Sequence, residues 1–152
     1  MTTRLTVQTT SRPAVTITRT ATKSTELVYI GVANRQVRYS AGQSKIVYIG
    51  TTKNGADRIA ASAAKKAKDM LEVHGITHLE FFVVTSSRKD GIKTWHKLER
   101  GLLLAFREKF GSQPQCNIAG KRMKWSDELT YFTRERLDGV IKKYWFFAVW
   151  SG

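Results

Sequence analysis

Two short apolar runs of nearly the same wording, Leu27-Val28-Tyr29-Ile30-Gly31 and Ile46-Val47-Tyr48-Ile49-Gly50, stand out in the first third of the chain. Their β-branched and aromatic content predicts two strands forming an antiparallel pair, and the stretch from Ala33 to Gln43 between them is small and polar, as suits a loop. Asn54-Gly55 ends the second strand. Asp57 to Val73 then spaces its apolar residues as a helix, with Ile59, Ala63, Ala67, Met70 and Leu71 towards a core and Arg58, Lys65, Lys66 and Lys68 on the other face. Gly75 stops that helix, and Leu79-Glu80-Phe81-Phe82-Val83-Val84-Thr85 has the length and composition of a buried third strand. A polar loop, Ser86 to Gly91, leads to a second helix from Thr94 to Phe110 whose stripe is Trp95, Leu98, Leu102, Ala105 and Phe106, ended by Gly111 and Pro114.

A third helix is expected from Ser126 as N-cap, with Asp127 and Glu128 in its first turn, to Lys142-Lys143, so that both ends complement the macrodipole. Tyr144 to Trp150 is an aromatic strand candidate, and its rings suit a core or a dimer contact better than base stacking. The fold class is therefore α/β: strand, strand, helix, strand, helix, with a further helix and strand appended.

A chain of 152 residues supports one core. Residues 1–25 hold ten threonines, three arginines, one lysine and no acid, and read either as an edge strand or as a flexible basic arm. Residues 26–120 carry the core, and residues 121–152 a basic, aromatic extension of the same domain.

Charge adds a partner class. Twenty-six Lys and Arg against twelve Asp and Glu give a formal charge of +14, spread from Arg4 to Lys143, which favours a polyanion such as nucleic acid over a membrane surface. No apolar run approaches the roughly 20 residues of a spanning helix, and Met1-Thr2-Thr3-Arg4 has no signal-peptide core, so a soluble, intracellular (cytoplasmic) protein without a membrane partner is expected. Cys116, the only cysteine, excludes an internal disulfide and a cysteine-rich zinc site.

In this order of elements the residues resemble the GIY-YIG nuclease family. The first signature is kept in part as Leu27-Val28-Tyr29, with leucine where the family usually has glycine, and the second is intact as Tyr48-Ile49-Gly50. The helical arginine matches Arg58, the metal-binding glutamate of the second helix matches Glu99, and the asparagine after a proline matches Asn117 in Gln113-Pro114-Gln115-Cys116-Asn117. The resemblance implies a β-β-α-β-α core with a three-stranded antiparallel sheet flanked by helices. It also implies a metal-dependent DNA endonuclease in which Tyr29, Tyr48, Arg58, Glu99 and Asn117 form the site.

Phosphodiester hydrolysis asks for such residue types: a water must lose its proton, phosphoryl charge must be neutralised and the leaving oxygen assisted. A phenol with an ordinary pKa near 10 becomes a base only if cations lower it, and Arg58, Lys53 and a metal have the right sign. The resemblance implies that one tyrosine activates water while the other orients it or holds phosphate, without saying which. The Arg58 fork suits two phosphate oxygens, Glu99 is the expected ligand of one Mg2+ (or Mn2+) ion, and Asn117 is expected to brace its loop. Each has a plainer reading as well: half-buried strand aromatics, a solvated arginine, a turn asparagine. Glu99 is the exception, bordering the apolar stripe without a lysine or arginine at helical spacing.

Four residues after Arg58, where many family members carry histidine or tyrosine, stands Ser62, which can hydrogen-bond phosphate but is a poor base. His74 and His78 read as surface residues, and His96 either nears the site or packs on Trp95. The 19 positions from Tyr29 to Tyr48 resemble the longer insertions of the restriction-enzyme branch and carry Arg35 and Arg38 towards DNA. Lys53, Ser62, Lys65 and Lys66 complete the expected DNA contacts on the core. Lys121-Arg122-Met123-Lys124-Trp125 either grips phosphates through Lys121, Arg122 and Lys124 while stacking a base, or is a basic turn packed by Trp125. Duplex or branched DNA is the expected substrate. One site per chain implies nicking unless two copies pair as a homodimer. The alternatives are a catalytically inactive nucleic-acid-binding module of the same fold and an RNA-binding protein of unrelated fold.

Overall fold

The computed structural model describes residues 4–16, 18, 23–73, 75–117 and 122–145. Three antiparallel strands, β1 (Leu27–Tyr39), β2 (Gly42–Thr52) and β3 (Leu79–Val84), form one sheet in the order β2-β1-β3. Helix α1 (Ala56–Val73) connects β2 to β3, and α2 (Thr94–Phe110), α3 (Glu128–Tyr131) and α4 (Arg134–Trp145) follow. The chain is a mixed α/β protein with its antiparallel sheet flanked by helices.

Strand alternation divides the core between the two faces of the sheet. Val28, Ile30 and Val32 of β1 join Ile46 and Ile49 of β2, Leu102 and Phe106 of α2, and Leu137 and Ile141 of α4 in the larger cluster. Leu27 and Tyr29, on the opposite face, pack with Ile59 of α1 and are bordered by Tyr48 and Phe81. The smaller cluster is the one that holds both tyrosines.

The expected loop from Ala33 to Gln43 is instead sheet, and a two-residue turn, Ser40-Ala41, joins the strands. Val37 and Tyr39 alternate into the core, and the Tyr39 hydroxyl donates to the Ile46 carbonyl at 2.7 Å. The turn is pinned to the end of α2, where the Phe110 carbonyl accepts from the Ala41 N–H at 3.0 Å. Between the pairs Val32↔Ile46 and Val37↔Ser44 the ladder is broken by a bulge, and here Ala33 pairs with Leu79 while the Asn34 N–H donates to the His78 carbonyl. The spacing between the tyrosines is thus a long hairpin and not an inserted loop.

Other expectations change for local reasons. β3 is half-buried, because it is an edge strand, and Val83 is exposed. Leu71 of α1 is exposed as well, while Met70 takes the core position. The expected helix from Ser126 is two helices. Phe132 is extended, and Thr133 starts α4 by accepting the Arg136 N–H on its hydroxyl at 3.2 Å. Ser126 does not cap; its N–H donates to Glu128 Oε2, and the fully buried Glu128 carboxylate also holds Arg100 Nε at 2.6 Å. Tyr144 and Trp145 close α4 instead of opening a strand, and the remainder of that aromatic segment lies outside the described residues. Residues 4–16 and 18 contain no strand. Among the described residues, no helix is long and apolar enough to cross a membrane.

Candidate functional site

Antiparallel register explains the doubled phrase. Tyr29 stands opposite Gly50, Ile30 opposite Ile49 and Gly31 opposite Tyr48, so each tyrosine faces the other strand's glycine. The rings meet over Gly50, 5.6 Å between centroids and tilted at 40°. A Cβ on Gly50 would sit 2.6 Å from Tyr48 Cε1 and 2.8 Å from Tyr29 Cζ, closer than atoms can approach. The two rings can meet on this face only because position 50 is glycine.

The two tyrosines are not equivalent. Tyr29 is only 2% exposed and its hydroxyl donates to Ser62 Oγ of α1 at 3.0 Å, while Tyr48 is half-buried. Burial, reinforced by Tyr29 and the Glu99 carboxylate, holds the Tyr48 phenol well above its ordinary pKa, against the opposing pull of Arg58. The expected lowering is therefore reversed in the free protein, since desolvation outweighs the cations. The same interactions place Arg58 from α1 and Glu99 from α2 within electrostatic reach of one phenol.

Glu99 is half-buried, and among the described residues no cation pairs with it. Desolvation raises its carboxyl to about 7, with the Arg100 charge opposing. Its helix explains the position: Leu98, Leu102 and Leu103 bury one stripe, and Glu99 sits at the stripe's border.

Asn117 has a defined task at the free edge of β2. Its Oδ1 accepts the Ile49 N–H at 3.0 Å and its Nδ2 donates to the Ile49 carbonyl at 2.8 Å, replacing a strand neighbour at the residue between Tyr48 and Gly50. The loop before it is fixed by Cys116 N–H to the Val47 carbonyl, Gln115 N–H to the Tyr39 hydroxyl and Gln113 Nε2 to the Asn117 carbonyl. Lys66 Nζ donates to the Cys116 carbonyl at 2.9 Å and lies 5.1 Å from the centre of the Tyr48 ring. The sequence placed Lys66 on an exposed DNA-facing side; it is half-buried and ties α1 to the loop instead.

As a metal site, the cluster has a limited donor set. Among the described residues no group of three His, Cys, Asp or Glu comes together, which does not suit zinc or a calcium cage. A single half-buried carboxylate lacking a cation fits a hard divalent ion that keeps most of its water shell.

Arg35, Arg38, Lys53, Arg58 and Lys65 are exposed, and so are Arg122 and Lys124; Lys121 and His74 lie outside the described residues. Trp125 is packed rather than open to a base: its Nε1 donates to Glu108 at 2.6 Å and the Arg134 guanidinium lies 4.8 Å from its ring centre. His96 lies beside Trp95, ring centres 5.5 Å apart, and burial together with the Lys93 and Lys53 charges lowers its pKa. His78 is exposed and bonds Thr77. The structural partners of the site that the sequence did not disclose are Tyr39 and Gln113. For Tyr39 the signal was present, as the Val37–Tyr39 alternation.

Compared with known proteins, the chain matches no family model, no curated protein and no solved structure.

Proposed function

We propose that this chain is a metal-dependent DNA endonuclease of the GIY-YIG type, with its site at Tyr29, Tyr48, Arg58, Glu99 and Asn117. The observation that supports the reading is that the charges of Arg58 and Glu99, from two different helices, both act on the Tyr48 phenol beside the Tyr29–Gly50 pair. Tyr29, Tyr48 and Asn117 gather at one short stretch of β2, with the Arg58 and Glu99 charges in electrostatic reach of Tyr48, in a protein of net charge +14.

Roles follow from exposure and partners. Tyr48 is the tyrosine that meets solvent, and its protonated hydroxyl orients the attacking water and a phosphate oxygen by hydrogen bonding. Tyr29, nearly inaccessible and bonded to Ser62, is a positioning residue that fixes the Tyr48 ring. Arg58, exposed at the start of α1, binds two phosphate oxygens and neutralises charge that grows as the bond breaks. Asn117 fixes the β2 edge on which Tyr48 stands. Glu99 would hold Mg2+ (or Mn2+), which supplies Lewis-acid neutralisation and a water of lowered pKa. Arg35, Arg38, Lys53 and Lys65 add sequence-independent backbone contacts with duplex or branched DNA.

A second reading, an inactive nucleic-acid-binding module, draws on the raised Tyr48 phenol and the serine at position 62, which leave no ready base in the free protein. Supercoiled plasmid with magnesium separates the two. The nuclease nicks it, and Arg58→Ala and Glu99→Ala, folded as judged by melting, lose about 100-fold or more. A wild-type protein that binds DNA in a salt-dependent way but leaves plasmid, duplex and junction uncut would establish the binding module.

A further inference from the structure

A polar recess lies apart from the tyrosines, where the chain enters β1 beside the segment that joins β3 to α2. It measures about 300 Å³ and is lined by Lys23, Thr25 and Glu26 on one side of the sequence, Thr85, Ser86 and Arg88 on the other, and Thr94 of α2. Hydroxyls dominate that lining.

Thr94 is the most telling of them. It is 6% exposed, lines the recess, and its hydroxyl has no hydrogen-bond partner among the described residues. Its oxygen is not sealed from solvent, so water can bond it in the free protein and a ligand oxygen in the recess takes that water's place. Thr94 also opens a helix of 17 residues that has no side-chain cap and no acid in its first turn, so the positive end of the α2 dipole is unopposed. Lys23 and Arg88 add two cations. Glu26 opposes them, but its pairing with Arg88 is 3.5 Å long and the Arg88 side chain is 79% exposed, a weak pair that an anion can displace.

We propose that this recess binds a backbone phosphate of the DNA flanking the phosphodiester cut at Tyr48, Arg58 and Glu99. The volume exceeds a lone phosphate and admits part of the attached sugar. Thr94 and Glu99 are five residues apart on α2, about 7.5 Å along its axis and about 140° around it, so they serve two different phosphates of one backbone and not the same one. The helix that carries the metal carboxylate thus also carries the neighbouring phosphate contact. The identity of the ligand rests on the nuclease reading; the anion chemistry of the recess does not.

The test is binding of a labelled DNA duplex by the full chain with a chelator present, so that cleavage plays no part. Arg88→Ala weakens binding about 3–10-fold and lowers the slope of log K against log salt by about one. Thr94→Val, nearly isosteric, weakens it about 3-fold. Glu26→Gln tightens it about 3-fold, a gain that no folding defect can produce. Thr94→Val and Glu26→Gln both binding as wild type, with unchanged melting, would overturn the proposal. A wild type that binds and never nicks removes the nuclease reading, and the three shifts then still decide the recess.

Discussion

Tyr29 is paired across the β1–β2 ladder with Gly50, and the missing Gly50 side chain leaves room for the Tyr29 and Tyr48 rings to meet above it. The two tyrosines are therefore coupled through a glycine that performs no chemistry. Gly50→Ala places a methyl into both rings at 2.6 and 2.8 Å. One ring must turn away, at about 1–3 kcal/mol by analogy with overpacked cores. On the proposed nuclease reading, nicking falls further than stability does, because Tyr48 is displaced from the Arg58 and Glu99 charges that act on it. Melting together with plasmid nicking reads both, and a Gly50→Ala variant that cuts at the wild-type rate would refute this geometry.

Glu99 makes the free protein pH-sensitive in a direction opposite to a salt-bridged acid. Its carboxyl is raised from 4.5 to about 7, so the folded state holds the proton over a range where the unfolded chain has released it. Its contribution to stability is greatest below pH 4.5, falls as the pH rises towards 7 and levels above that. The full loss is about 3 kcal/mol for a shift of that size. Glu99→Gln cannot ionise, so with a chelator present it melts above wild type near about pH 8, and the difference closes towards about pH 5. Equal melting temperatures at both values would show that Glu99 is not desolvated.

Much of the fold was legible because its signals are local. The β-branched runs around Tyr29 and Tyr48, the alanine-rich period of α1 and the Leu98–Leu102–Phe106 stripe each declare their element, and Gly111, at φ 81°, ends α2 where expected. Long-range pairing was less visible. The stretch 33–43 looks like a loop because its polar residues face solvent, yet Val37 and Tyr39 between them reach the core. Glu128 has the right place for a dipole-complementing acid, and only the fold brings Arg100 to it, so the expected capping acid is a buried carboxylate in an ion pair. The candidate site shows the same division. Its residue types and order could be read, but the field at Tyr48 depends on burial, which composition does not report.

Asn117 holds Ile49 by both backbone groups, so a change there acts on the strand that carries Tyr48. Asn117→Ala leaves an N–H and a carbonyl without their partners and costs about 1–3 kcal/mol. Asn117→Asp is the sharper variant. It keeps an acceptor for the Ile49 N–H but sets a carboxylate against the Ile49 carbonyl, so it destabilises more at neutral pH than under acid conditions. Urea melts at two pH values distinguish a paired amide from an ordinary turn residue, for which both variants would be silent.

Tyr39 links the hairpin to the loop that carries Asn117. Its hydroxyl donates to the Ile46 carbonyl at 2.7 Å and accepts the Gln115 N–H at 3.1 Å, and burial holds the phenol protonated far above its ordinary range. Tyr39→Phe keeps the edge-on ring contact with Phe106 at 5.1 Å and removes only the two hydrogen bonds. About 1–3 kcal/mol is lost, since both partners remain in a partly dry setting. On the nuclease proposal the effect on cutting is indirect: the freed Gln115 loosens the loop that brings Asn117 to Ile49. Amide hydrogen exchange at Ile49 should therefore speed up in Tyr39→Phe, and exchange there at the wild-type rate would disconnect Tyr39 from the site.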